Sequence, residues 1–137
     1  MPLLRPALLL LVTLLIASCG NAAPAANLAN RQWQLIEING QPPVAAGQPL
    51  TIAFGPDNRA SGFAGCNGFG GSYRLDGATI AFSQIASTLI ACADDAITAQ
   101  ELTFHQALAA AARYELKDSV LSLFDRDGNV RLRFQAQ

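Results

Sequence analysis

Short runs of alternating apolar and polar residues, separated by two-residue turns, extend over most of this chain. The clearest run is C-terminal, where Val130, Leu132 and Phe134 alternate with two arginines. A period of two places one face of a strand on a core and the other in water. Asp127-Gly128 precedes this run and is typical of a hairpin turn that needs positive φ. The pattern therefore predicts antiparallel sheet.

The same pattern predicts about eight short strands in total, too many for a flat sheet in one small domain. Closing such a sheet on itself also removes exposed edges. We therefore expect a mainly β (α+β) fold, a small β-barrel-like, highly curved antiparallel sheet with one packed α-helix. The runs lie at 33–38, 50–54, 59–64, 71–75, 78–82, 113–117, 121–123 and 130–134, with a further short run at 85–89. The aromatic residues with core spacing are Trp33, Phe54, Phe82, Phe104, Phe124 and Phe134.

One segment breaks the alternation. Residues 99–112 are rich in strong helix formers, which predicts a helix. Thr98 is the predicted N-cap, and Glu101 three residues later completes a capping box. Ile97 and Leu102 are expected to form a hydrophobic staple across this start. The apolar face of the helix carries Phe104, Leu108, Ala111 and Ala112.

The N-terminal segment has the features of a protein-export signal. Leu15-Ile16-Ala17-Ser18-Cys19 follows an apolar run and matches a lipobox, with small residues before a cysteine that takes lipid. Residues 1–18 are thus predicted to be a lipoprotein signal peptide, 19–31 a lipidated flexible tether, and 32–137 the folded domain. A plain secretory signal is the alternative; a membrane span is disfavoured because it needs about 20 apolar residues.

A lipidated Cys19 would anchor the chain to a membrane through acyl chains such as palmitate. Gly20 follows the cysteine, and the absence of aspartate there favours the outer membrane, facing the periplasm, in a Gram-negative cell. The expected location is therefore the cell envelope.

Cys66 and Cys92 remain once Cys19 carries lipid. An even number in an oxidising compartment predicts a disulfide, which would close a loop of about 27 residues and stabilise the fold by about 3–4 kcal/mol. Two separate buried thiols are the alternative. A metal site is a third reading, but two thiolates and the single histidine do not complete a tetrahedral set.

Charge and side-chain chemistry exclude several functions. Without the signal peptide the chain has eight basic and ten acidic side chains, a net charge of −2, which argues against nucleic acid as a partner. His105 has no evident nucleophile and acid beside it, so we expect a surface or capping role. Asp125, Asp127 and Asn129 resemble the start of a calcium loop that lacks its final glutamate. We expect no enzyme, metal or cofactor, and a monomer.

Several motifs together resemble the META domain of the HslJ-like heat-inducible bacterial lipoproteins. The most specific are Gly65-Cys66-Asn67 and the Thr88-x-x-x-Cys92 pair. The remaining matches are Trp33, Leu35, Phe54, Arg59, Ser61, Gly62, Tyr73, Ile80, Phe82, Ile85, Leu89, Ile90, Ala91, Glu101, Phe104, Leu108, Leu121, Leu123, Asp125, Gly128 and Phe134.

The resemblance implies a small barrel-like fold and an envelope role linked to heat response and novobiocin tolerance, with no established catalytic residue. It implies that Cys66 and Cys92 staple neighbouring segments, while Asn67 and Thr88 satisfy local backbone groups. The expected function is a non-catalytic interaction module with an envelope protein as partner. The alternatives are a lipocalin-like binder of a small hydrophobic ligand and an inhibitor of an envelope hydrolase, which would need a rigid loop with an aromatic or basic tip.

Overall fold

The computed structural model describes residues 27–45 and 48–137. In these ranges eight antiparallel strands pair in chain order, and the last strand pairs with the first, so that the sheet closes into a ring. The elements are β1 Gln32–Ile38, β2 Thr51–Phe54, β3 Arg59–Phe63, β4 Gly68–Asp76, β5 Thr79–Ser87, α1 Asp95–Ala110, β6 Arg113–Lys117, β7 Val120–Phe124 and β8 Val130–Ala136. The expected curved, barrel-like sheet with one helix is confirmed.

The predicted signal peptide, the lipid site at Cys19 and residues 19–26 of the predicted tether lie outside the described residues. The end of the predicted tether (27–31) is part of the folded domain, because Leu28 is 2% exposed and Ala29 forms a bridge with Phe54. Within those ranges, no helix has both the length and the apolar character needed to cross a bilayer.

The ring of strands has two distinct ends. The chain enters at the end where β1 begins, and Leu28 is held there by a 3.2 Å hydrogen bond from the Trp33 indole to its carbonyl. We call this the entry end. Because neighbouring strands are antiparallel, β5 finishes at the opposite end, and α1 follows it there. We call this the helix end.

Large apolar side chains fill the interior of the barrel. Phe104 and Leu108 of α1 are fully buried, and the Phe104 ring lies 5.5 Å from Phe69 and 6.4 Å from Phe134. The helix therefore contributes two side chains of its predicted apolar face to the core. The side chains that are at most 2% exposed include Trp33, Ile52, Phe54, Ile80, Leu121, Leu123, Leu132 and Phe134.

The run at 85–89 is not a separate strand, which corrects the prediction. β5 continues to Ser87 through a bulge. The bulge is seen as a shift in the pairing register between Gly70 and Ser72 of β4. Gln84 lies in this bulge with φ of 54°. An extra residue in one strand bends it without ending the pairing. The bulge places Ile85 directly over Gly71.

Gly71→Ala is expected to destabilise the fold because the new Cβ would overlap Ile85 Cδ1 and lie 3.0 Å from Ile85 Cα. Overpacking of this kind costs about 1–3 kcal/mol. Urea denaturation of the variant would measure the loss. Gly70→Ala is the matched control, because its nearest neighbour would be Ala60 O at 3.8 Å. Equal stability of the two variants would contradict the packing argument.

The spacing of Phe124 predicted a core residue, but the structure places its side chain outside the core. Alternation along β7 turns Leu121 and Leu123 inward and leaves Phe124 partly exposed on the outer face. The Arg113 guanidinium lies over its ring, 3.9 Å from the centroid. This cation–π contact covers the ring where β6 begins.

Helix α1 begins one turn earlier than predicted. Asp94, not Thr98, is the N-cap, and its carboxylate accepts a 2.7 Å hydrogen bond from Ala96 N. The predicted capping box and staple are therefore wrong: Ile97 lies inside the helix and Leu102 is 60% exposed. Glu101 instead binds the turn between β3 and β4.

Candidate functional site: the Asn67 hub

Cys66 and Cys92 form a disulfide, with their Cα atoms 5.9 Å apart. The bond joins the turn between β3 and β4 to the segment that precedes α1. Both segments lie at the helix end of the barrel. The predicted pairing is confirmed, and the reading of two separate thiols is wrong.

Asn67 lies next to the disulfide and is 4% exposed. Its Oδ1 accepts hydrogen bonds from Thr88 Oγ1 at 2.8 Å and from Ile90 N at 2.7 Å. Its Nδ2 donates to Ile90 O at 3.2 Å and to Glu101 Oε1 at 2.8 Å. An asparagine amide offers two donors and an acceptor oxygen with two lone pairs, so every site on this side chain is used. We call this arrangement the Asn67 hub.

Glu101 connects the hub to α1. Its Oε2 accepts hydrogen bonds from the backbone N–H groups of Asn67 at 2.7 Å and Cys66 at 3.3 Å. Hydrogen bonds to a charged acceptor are stronger than neutral ones. Sequence reasoning assigned Glu101 to a capping box and so missed this role. The competing cap at Asp94, four residues before Thr98, was the available signal.

Gln100 holds a second loop onto the same helix. It is 7% exposed, and its side-chain amide both accepts from Val44 N and donates to Val44 O, at 2.5 Å and 3.4 Å. This pairing mimics one rung of a sheet. The β1–β2 loop is thereby fastened to α1 beside the hub.

The segment 88–92 is attached to the rest of the domain at every second residue. Thr88 N donates to Gly68 O at 3.0 Å, Ile90 is bonded to Asn67 through both its N–H and its carbonyl, and Cys92 is in the disulfide. Leu89, between these attachments, is 96% exposed, and Ile90 is 64% exposed. The hub therefore fixes a loop that presents two aliphatic side chains to solvent. We call these two residues the aliphatic tip.

A metal is not favoured at this place in the disulfide form. The sulfur atoms of Cys66 and Cys92 and a Glu101 oxygen lie within 4.8 Å of one another. Metal coordination needs thiolates, however, and disulfide sulfurs carry no negative charge. The Glu101 oxygens are also already hydrogen-bonded to the turn. The cluster therefore fits a structural clamp.

A family model for the META domain matches residues 26–137 of this sequence. The chain belongs to the META-domain family. The match includes the hub, the disulfide and the helix, and it confirms the resemblance found in the sequence. No curated protein matches the sequence significantly.

Solved structures share the fold of this META domain. A protein from Burkholderia xenovorans solved by NMR is 23% identical with a TM-score of 0.68, covering 100% of this chain and 99% of that one. A second NMR structure is 25% identical with a TM-score of 0.64, covering 79% and 90%. A crystal structure of a DUF4847 family protein from Bacteroides vulgatus is 18% identical with a TM-score of 0.62, covering 80% and 94%.

His105 is half-buried in this META domain, and its ring packs against aromatic side chains instead of capping a helix. Its ring lies edge-on to Phe69 and Phe104, with centroids 5.6 Å and 5.8 Å away. Both ring nitrogens are buried and have no hydrogen-bond partner among the described residues. Burial lowers the pKa of His105 from its usual 6.5, and the charge of Glu101 one turn earlier partly offsets this effect.

Stability is expected to fall as the pH drops below about 6.5, because His105 is held neutral in the folded state. Because the pKa of His105 is lower in the folded state, the unfolded chain binds a proton at a higher pH. The contribution of His105 to stability therefore falls as the pH drops from about 6.5 to the folded-state pKa, and it does not change further below that pH. Comparing the free energy of unfolding at pH 7.5 and pH 5.5 for wild type and His105→Leu isolates this contribution, since the chain has a single histidine. Identical pH dependence in both proteins would contradict it.

Asp125 completes a turn and not a calcium loop. Its Oδ1 accepts hydrogen bonds from the backbone N–H groups of Asp127 at 3.0 Å and Asn129 at 2.9 Å. The side-chain and backbone donors of Asn129 are the largest causes that lower the pKa of Asp125. This Asx-type turn shapes the β7–β8 hairpin.

Proposed function

We propose that this chain is a non-catalytic lipoprotein of the cell envelope, an interaction module of the META type that contributes to stress or drug tolerance by docking another protein. The observation that carries the proposal is the Asn67 hub. Its hydrogen bonds hold a surface loop in one conformation, and in that conformation the aliphatic tip faces solvent. A preformed surface is what a docking protein needs.

Two features support an envelope location. The lipobox ending at Cys19 provides a site for acyl chains, which would hold the chain, as a monomer, on the outer membrane of a Gram-negative cell. The Cys66–Cys92 disulfide is typical of a chain that folds in an oxidising compartment.

A non-catalytic role is supported by the state of the polar groups. Asn67 and Glu101 are saturated by partners within the domain, and both sulfurs are in the disulfide. The lipocalin-like alternative loses support because side chains such as Trp33 and Phe54 occupy the barrel interior. The inhibitor alternative required an aromatic or basic loop tip, whereas the constrained tip is aliphatic.

Metabolic labelling with palmitate tests the anchor. Wild-type protein should carry the label and sediment with membranes, whereas Cys19→Ser should lose the label and remain in the soluble fraction. Wild-type protein without label would overturn the lipoprotein assignment.

A deletion strain tests the physiological role. We expect reduced survival under heat or novobiocin, restored by wild-type chain and not by Cys19→Ser at equal protein level. A deletion strain that survives both stresses as well as its parent would overturn the tolerance role.

A further inference from the structure

We infer that the aliphatic tip, Leu89 and Ile90, docks into an apolar pocket bordered by lysine or arginine side chains on a folded envelope protein. This inference rests on the proposed function and adds to it the surface that binds and the chemistry of the partner. Two observations support it, the constraint on the tip and the charge of the neighbouring residues.

Exposed leucines are common on protein surfaces, so exposure alone means little. Leu89 differs from such residues because its neighbours in the chain are firmly attached to the domain. The residue before it and the residue after it both hydrogen-bond to the buried Asn67 amide, and two residues farther on the disulfide fixes Cys92. A loop held in this way loses little conformational entropy when its tip is buried by a partner. Much of the binding energy at such surfaces comes from a few anchor side chains that fill pockets.

The sequence on either side of the tip is acidic. No lysine or arginine occurs between Arg74 and Arg113 in the sequence. In that interval the exposed Asp94 and Asp95 begin α1, directly after the loop. The β1–β2 loop from 39 to 50 has no charged residue. Charge complementarity therefore favours a partner whose pocket has a basic border.

The charge beside the tip disfavours the anchoring membrane as its occupant. The acidic side chains Asp94 and Asp95 would be repelled by an anionic lipid surface. A protein is therefore the better occupant than the bilayer.

Site-specific photo-crosslinking in living cells tests the inference with the full-length, lipidated chain. Benzoylphenylalanine replaces Leu89, and in a second strain it replaces Ser119, an exposed turn residue at the entry end. We expect position 89 to join one protein at one peptide that has lysine or arginine close to the attachment point, and position 119 not to join it. Attachment to lipid, to a second copy of this chain, to unrelated proteins at random, or to nothing would overturn the inference.

Binding to the purified partner then gives the energetic test. Leu89→Ser with Ile90→Ser should weaken binding at least tenfold, whereas Ile36→Ser, which removes a 42% exposed aliphatic side chain elsewhere, should change it less than twofold. Asp95→Lys should slow association several-fold and reduce its salt dependence. Tip variants that fold, carry palmitate and bind with unchanged affinity would overturn this inference and leave the proposed function standing; absence of palmitate on wild type contradicts the latter.

Discussion

Asn67→Asp is expected to lower the free energy of unfolding by about 3–5 kcal/mol, although the two side chains have nearly the same shape. The aspartate cannot donate, so the bonds to Ile90 O and Glu101 Oε1 are lost. The new carboxylate would also face Glu101 at the 2.8 Å separation that the amide now bridges. Urea denaturation followed by tryptophan fluorescence would measure the loss.

The double variant Asn67→Asp with Glu101→Gln tests the mechanism. In it the donor and acceptor of the 2.8 Å contact exchange places, and the like-charge repulsion disappears. We expect the double variant to lose about 1–3 kcal/mol less free energy of unfolding than the sum of the losses in the two single variants. Additive losses would show that the hub residues act independently.

A matched control is available at a turn. Asn58→Asp makes the same chemical change at an exposed residue with φ of 57°, a conformation that both side chains tolerate. We expect a change below about 0.5 kcal/mol. A loss comparable to that of Asn67→Asp would mean that the added charge, and not the hub, is responsible.

The second large effect is expected from the disulfide. Replacing both Cys66 and Cys92 by serine should lower the free energy of unfolding by about 3.5 kcal/mol, from the entropy regained by the unfolded chain when a cross-link over 26 positions is removed. Because Asn67 still binds Thr88 and Ile90, the barrel should remain folded. Denaturation with and without dithiothreitol would measure the loss in two independent ways.

The serine variant also provides the control for this experiment. Reduction should destabilise wild type by the same amount as the substitutions and should leave the serine variant unchanged. A loss below about 1 kcal/mol by both routes would mean that the cross-link constrains little, contrary to the chain-entropy estimate.

Local patterns predicted the eight strands, though not the extension of β5 through its bulge, because a strand's two faces and its turns are local properties. Gly77 and Gly128 adopt positive φ, as their hairpin turns require. The alternation of Leu132 and Phe134 with arginines set which face of β8 enters the core, and Arg133 on the outer face pairs with Glu37 at 2.8 Å. The pairing of Cys66 with Cys92 also followed from the sequence, since the predicted oxidising compartment and the number of cysteines left few choices.

The failures arose where two local signals competed. Thr98 and Asp94 are both good caps, and the sequence does not say which one the chain uses. In the folded domain Glu101 binds the backbone of Cys66 and Asn67, 35 and 34 positions earlier, so it is not available to cap its own helix. Phe124 was misplaced for a related reason: its spacing fits a core residue, but register and the Arg113 contact turn it outward.

The sequence by itself determined the strand pattern, the presence of a helix, the disulfide and the family, because each of these follows from neighbouring residues or from motifs. Only the tertiary structure decided that Leu89 and Ile90 face solvent, although a short apolar run ordinarily predicts a buried strand. The reason is that the Asn67 amide satisfies the Ile90 backbone without a neighbouring strand. A single side chain from the β3–β4 turn thus replaces a rung of sheet and leaves the aliphatic tip outside the core.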